Sequence, residues 1–172
     1  ELEPAPGIKA SRVIGLAGGP AKARIVRDLG ADVAIDYRAV PDLAAAIHEA
    51  APDGVDVYFD NVGAETLDAI LPLMRLHGRV AVCGMIAQYN DADNPHGNRN
   101  LWQLVVNRLT MRGFITYDHP EVLGEAQAML DRLFAEGKLK PLENVREGLE
   151  KLPEAFIDLM SGKTTGKTLV LI

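Results

Sequence analysis

The sequence predicts an α/β fold in which a parallel sheet is flanked by helices. Short β-branched runs alternate with longer amphipathic stretches, and glycine, proline or asparagine marks the junctions between them. No repeat of fixed period and no low-complexity linker interrupts the alternation. Strands joined through helices pair in parallel, because a crossover helix must return the chain to the same end of the sheet.

The elements follow in order. Arg12-Val13-Ile14-Gly15-Leu16-Ala17 reads as a strand, broken by Gly18-Gly19-Pro20, which opens a helix through Leu29. Pro20 suits a first helical turn and Gly30 a C-terminal stop. Val33-Ala34-Ile35-Asp36 is the next strand, and residues 41–50 form a helix in which Leu43, Ala46, Ile47 and Ala50 share one face. The strand Val55-Asp56-Val57-Tyr58-Phe59 ends at Asp60-Asn61-Val62-Gly63, and a helix then runs to about Met74. Arg79-Val80-Ala81-Val82-Cys83 is a strand ending at Gly84. A polar loop, a helix over 101–108 and a strand over 110–115 complete the parallel series.

Composition narrows the function classes. The chain has 172 residues, 48% of them hydrophobic, which is ample for a buried core. It has no apolar run near ~18 residues and no N-terminal charged-then-apolar segment, so neither a membrane span nor a signal peptide is expected, and the default compartment is the cytoplasm. One cysteine, Cys83, forms no internal disulfide and no structural zinc site on its own. The net charge of -6, without a basic block, argues against a sequence-independent grip on nucleic acid or on an anionic membrane. Any phosphate must therefore be held by a local pocket.

Parallel sheets collect ligands at the carboxyl ends of their strands. Those exits are Ala17-Gly18-Gly19, Asp36-Tyr37, Asp60-Asn61-Val62-Gly63, Cys83-Gly84 and Phe114-Ile115. A single glycine there serves the turn; five polar or glycine exits together point to a binding edge. The fingerprint Gly-x-Gly-x-x-Gly is absent. Two registers compete. If residues 12–17 are the first strand of a dinucleotide fold, Asp36 is placed for an adenosine ribose and NAD. If they are the second, the uncharged Gly18-Gly19 exit followed by Lys22 suits the extra phosphate of NADP.

Ala17-Gly18-Gly19-Pro20-Ala21-Lys22, Ala34-Ile35-Asp36-Tyr37, Val57-Tyr58-Phe59-Asp60-Asn61-Val62-Gly63, Val82-Cys83-Gly84-Met85-Ile86-Ala87-Gln88-Tyr89-Asn90 and Asn107-Arg108-Leu109-Thr110-Met111-Arg112-Gly113-Phe114 together resemble one family. It is the zinc-independent, NADPH-dependent double-bond reductase branch of the medium-chain dehydrogenase/reductases, which holds the prostaglandin, 2-alkenal and curcumin reductases. The resemblance runs from about Ile8 to the C-terminus, including Pro153-Glu154-Ala155-Phe156 and Gly162-Lys163-Thr164-Thr165-Gly166-Lys167. It selects the second register. It implies a Rossmann-type NADP-binding domain over 7–147, lacking its first strand-helix unit, and a helix and strand over 148–172 that return toward a catalytic domain. The opening Glu1-Leu2-Glu3-Pro4-Ala5-Pro6 resembles the end of that catalytic domain, as though the intervening unit were skipped.

Residue by residue, the resemblance implies Lys22 and Tyr37 on the 2′-phosphate, with Gly18 and Gly19 admitting the adenosine. It implies Asn61 along the cofactor, Cys83, Gly84, Ile86 and Tyr89 near the nicotinamide, and Tyr89 as the catalytic residue closest to substrate. Phe114 and Ile115 would line the carboxamide end, and Thr164 stands where relatives often carry Asn. Lys22 as an exposed helix lysine, Tyr37 as a loop cap and Cys83 as a small buried filler remain open. The reaction implied is hydride transfer from NADPH to the β-carbon of an enone or enal, without a metal. A homodimer through the sheet edge over 110–116 is also implied. Because half of the reaction cleft lies outside the implied domain, the chain alone is expected to be inactive. The alternative is a non-catalytic nucleotide-binding or oligomerisation module from a truncated dehydrogenase.

Three other patterns are set aside. Gly162-Lys163-Thr164-Thr165-Gly166-Lys167-Thr168 is one residue short of a phosphate loop and reads as a turn into a strand over 168–172. His48, His77, His96 and His119 lack metal-ligand spacing and are expected to be exposed. Asp131-Arg132 and the charges over 143–150 read as solvated helix and loop surface.

Overall fold

The computed structural model describes residues 10–89 and 97–172. His96, the opening hexapeptide and most of the polar loop after Tyr89 lie outside them. The chain divides into two compact units, one reaching to Leu123 and the other Gly124–Ile172.

The first unit strings together β1 (Ile14–Ala17), α1 (Pro20–Asp28), β2 (Val33–Asp36), α2 (Leu43–Ala50), β3 (Val55–Asp60), α3 (Ala64–Ile70), β4 (Met74–Val82), α4 (Gln103–Val106) and β5 (Thr110–Gly113). All its strand pairs are parallel, as the helix crossovers require. The strands form two sheets. β1 pairs with β2 from Ile14↔Val33 to Ala17↔Asp36, and the other sheet has the order β3-β4-β5. In that second sheet Asp60 faces Val82, and Val82 faces Gly113.

One apolar core serves both sheets. Ile35 of β2, Ile47 and Ala50 of α2, Leu67 and Ile70 of α3, and Val80 of β4 form one buried cluster, with Tyr58, Val82 and Met111 packed against it. Leu71, in the short 3-10 turn Leu71–Leu73, is completely buried there. Val57 and Phe59 project from the other face of β3 and are exposed.

Element ends depart from expectation for local reasons. The helix expected from Pro41 starts at Leu43, because the Asp42 side chain caps it by accepting from the Ala45 amide at 2.9 Å. The helix expected to reach Met74 stops at Ile70. The 3-10 turn containing Pro72 intervenes, and Met74 already belongs to β4. The helix expected over 101–108 shortens to Gln103–Val106, and the last strand of the series ends at Gly113, so Phe114 and Ile115 lie just beyond it.

The second unit holds a charged segment that was expected to be solvated helix and loop. Glu143–Glu147 is a strand, β6, which pairs in parallel with β7 (Lys167–Leu171) across helix α6 (Leu152–Met160). Glu143 and Glu147 are exposed, as expected of solvated charges, whereas Arg146 is tied to α6. Its guanidinium donates to Asp158 of α6 at 2.7 Å and lies 3.5 Å from Glu154. The Gly162-to-Thr168 segment is the turn into β7, and the Lys167 amide donates to the Leu142 carbonyl at 2.6 Å. Helix α5 (Pro120–Ala135) precedes β6.

The Arg146 contact holds the Asp158 carboxyl below its ordinary range, with smaller contributions from Lys163. A depressed carboxyl stabilises the fold above its unfolded value, and that contribution disappears as pH falls through the folded one. Urea unfolding at neutral pH and at about pH 3 is therefore expected to show a smaller acid-induced loss in Asp158→Asn than in the unsubstituted chain. Equal losses would remove this linkage.

Candidate dinucleotide site at the strand exits

The first cluster is built by the exits of β1 and β2. Asp36 ends β2, and its Oδ1 accepts from the Gly19 amide at 2.8 Å and from the Arg38 amide at 3.0 Å. The Tyr37 amide donates to the Ala17 carbonyl at 3.1 Å. These bonds draw the two exits together. A Cβ on Gly18 would stand 2.5 Å from the Tyr37 hydroxyl and 2.9 Å from Arg38 Nε, so a larger residue there would push these two side chains aside. Gly19 has φ +98°, in the region glycine favours, and no side chain caps the α1 N-terminus that it begins. The first turn of α1 carries no acidic residue, and Lys22, half-buried, lies in it.

Arg38 is the residue here that sequence reasoning passed over. Its guanidinium lies 5.9 Å from the centre of the Tyr37 ring. The signal available was a basic residue directly following Tyr37 at a strand exit. The Asp36 side chain bonds to two backbone amides, while two cations and an uncapped helix start flank the glycines. Such an arrangement attracts an anion.

The second cluster is built by the exits of β3 and β4. Asp60 is completely buried. Its Oδ1 accepts from the Tyr58 hydroxyl at 2.8 Å, the Val62 amide at 2.8 Å and the Gly63 amide at 2.9 Å. Burial, and then the neighbouring Asp60, push the Tyr58 hydroxyl well above the usual tyrosine range. The Asp60 carbonyl accepts from the Cys83 and Gly84 amides at 2.8 and 3.1 Å, the Asn61 carbonyl from Ile86 at 3.1 Å, and the Val62 carbonyl from Ala87 at 3.1 Å.

This stitching brings Asn61, Gly84 and Tyr89 together. A Cβ on Gly84 would lie 3.2 Å from the Tyr89 hydroxyl and 3.7 Å from Asn61 Oδ1. The Tyr89 hydroxyl accepts from the Met85 amide at 3.2 Å, and the ring is 62% exposed. Ile86 is exposed beside it. Cys83 is also exposed, which corrects its reading as a buried filler: β4 ends at Val82, one residue before it. Asp60 was read only as part of a turn, although it organises this exit.

The remaining candidates are more scattered. The Phe114 amide continues the ladder by donating to the Val82 carbonyl at 3.2 Å, and its ring meets Phe59 edge-on at 6.0 Å. Ile115 is exposed. Thr164 is buried in the second unit, whereas both clusters belong to the first. Of the histidines, His48 and His77 are exposed, whereas His119 is half-buried and pairs with Glu121 at 3.2 Å. Among the described residues no three His, Cys, Asp or Glu side chains are grouped to hold a metal ion, and no helix is long and apolar enough to cross a membrane.

A family model described as zinc-binding dehydrogenase matches residues 4–134. The chain is 40% identical over 161 residues to the NADP(+)-dependent 2-alkenal reductase of Nicotiana tabacum, covering 93% of this chain and 47% of that protein. It is 38% identical over 164 residues to prostaglandin reductase 1 of Rattus norvegicus, covering 95% and 50%. The crystal structure of CurA from Vibrio vulnificus in complex with NADPH superposes with a TM-score of 0.84 at 39% identity, covering 92% of this chain and 49% of that one. The chain thus spans about half the length of the relatives it matches.

Proposed function

The chain belongs to the zinc-binding dehydrogenase family, and on that premise we propose that it is the NADP(H)-binding portion of an oxidoreductase that reduces the carbon-carbon double bond of α,β-unsaturated carbonyl compounds. The β1–β2 exit carries the proposal. Asp36, the acid that would read a ribose in an NAD site, bonds to the Gly19 and Arg38 amides, Tyr37 and Arg38 flank Gly18, and Lys22 lies in the first turn of α1. These groups suit a 2′-phosphate, and the relatives named above include NADP-dependent reductases.

In this reading Gly18 and Gly19 admit the adenosine end. Asn61, Cys83, Gly84 and Ile86 border the nicotinamide, and Phe114 and Ile115 line its carboxamide end. When bound, the cofactor supplies a hydride to the β-carbon of the enone or enal, and a proton is then taken up at the α-carbon. Tyr89, with its exposed ring at the β4 exit, is the side chain placed to meet the substrate. Catalysis then rests on positioning and on hydrogen bonding to the developing enolate, without a metal. The proposal extends to the domain division at 147/148 and to a cytoplasmic setting.

Titration with NADPH and NADH tests it. Lys22→Ala is expected to weaken NADPH by about 1–3 kcal/mol, the worth of a charge-assisted phosphate contact, and to leave NADH nearly unchanged. Equal affinity for both nucleotides, or no effect of the substitution, would overturn the NADP assignment.

A two-fold dimer across β5 belongs to the same proposal. β5 ends the order β3-β4-β5 and so has an open outer edge, which invites a second strand. Light scattering in dilute solution is expected to give twice the chain's mass, and a clean monomer would remove the dimer.

A further inference from the structure

The only buried charged side chain among the described residues is Asp60, and it bonds to no cation. All three of its hydrogen bonds converge on Oδ1, while Oδ2 is buried without a partner. An unpaired buried oxygen is costly and calls for an explanation. We propose that Asp60 is a positioning residue: its side chain shapes the turn over 61–63 so that the carbonyls of Asn61 and Val62 hold the segment bearing Tyr89 against Gly84. The proposal rests on the reading of this exit as the nicotinamide side of the site.

The geometry runs in sequence. The Val62 and Gly63 amides point inward to Oδ1, at 2.8 and 2.9 Å. With those amides turned in, the preceding carbonyls turn out, and Asn61 and Val62 accept from Ile86 and Ala87. The short 3-10 turn Ile86–Gln88 follows, and Tyr89 folds back to accept from the Met85 amide. The Asp60 side chain hydrogen-bonds to Tyr58, Val62 and Gly63 and not to Ile86, Ala87 or Tyr89, so its influence passes through the turn. Without an acceptor at this point, the buried Gly63 amide and the part-buried Val62 amide and Tyr58 hydroxyl would be left unpaired. The turn would then reorient to find water, carrying its carbonyls with it. The function needed of the side chain is an acceptor oxygen at Oδ1, and the negative charge is dispensable.

Amide hydrogen exchange on the full chain separates these roles. Asp60→Asn keeps an acceptor oxygen and is expected to retain slow exchange at Val62, Gly63, Ile86 and Ala87. Asp60→Ala is expected to speed exchange at those four by about tenfold or more while leaving the amides of β1 and β2 unchanged. If Asp60→Ala leaves Ile86 and Ala87 unaffected, or loosens β1 and β2 equally, the proposal is overturned. Should that variant fail to fold, a folded Asp60→Asn with fast exchange at Ile86 and Ala87 overturns it equally, and one with slow exchange supports it. An NADPH titration adds the functional arm: weakened binding in Asp60→Ala, restored in Asp60→Asn, is expected. Failure of the unsubstituted chain to bind NADPH would remove the functional reading and leave the exchange result to decide the role of Asp60.

Discussion

Mixed with NADPH and a simple alkenal or alkenone, the 172-residue chain is expected to oxidise no more cofactor than a protein-free control. Hydride transfer gains its rate from holding the two reacting carbons in a fixed, dry arrangement, and effective molarities of ~10⁵ M or more vanish when the reacting groups stand open to water. The chain spans about half the length of its relatives, and the side chains that would face the reaction are open to water. Tyr89 and Ile115 are each 62% exposed. Absorbance at the NADPH maximum would follow the reaction. Steady oxidation that is lost on Tyr89→Phe would show that the cleft is complete without further chain.

The largest effect on stability is expected at Leu71. It has no exposed surface and sits in the turn that redirects the chain from α3 into β4, at the centre of the cluster shared by both sheets. Leu71→Ala removes three carbons from a packed interior that cannot close around a tight 3-10 turn, so a loss of about 2–5 kcal/mol is expected. Chemical denaturation of the two proteins measures it. A change near that of an exposed leucine such as Leu76 would mean that the turn relaxes to fill the space.

What the sequence made legible follows from where the side chains went. Val33 to Asp36 was readable to the residue, because its β-branched and apolar positions pack on the core and its terminal acid caps a turn. β6 was not, because Glu143, Val145 and Glu147 are exposed and the charge of Arg146 is spent on the helix behind it. A two-stranded edge shows little of the apolar alternation that announces a strand. The early end of α3 was hidden as well, since Leu71, Leu73 and Met74 continue an apolar pattern while the backbone has already left the α conformation. The glycine and tyrosine positions of the candidate site stood out as punctuation at strand exits. Arg38 and Asp60 did not: one looks like a surface charge and the other like a turn residue, and only the fold shows which groups they face.

The strand order carries a kinetic consequence. Among the described residues every hydrogen-bonded pair joins consecutive strands: β1 with β2, β3 with β4, β4 with β5, and β6 with β7. The connections between paired strands therefore run from residues 61–73 for β3 and β4 to residues 83–109 for β4 and β5, and loop-closure entropy grows slowly over that range. Parallel sheets fold slowly where their crossovers are long, because the loop must close before the pairing rewards it. Each ladder, β1–β2, β3–β4–β5 and β6–β7, is thus closed by its own crossovers, and the core around Leu71 is what the first two share.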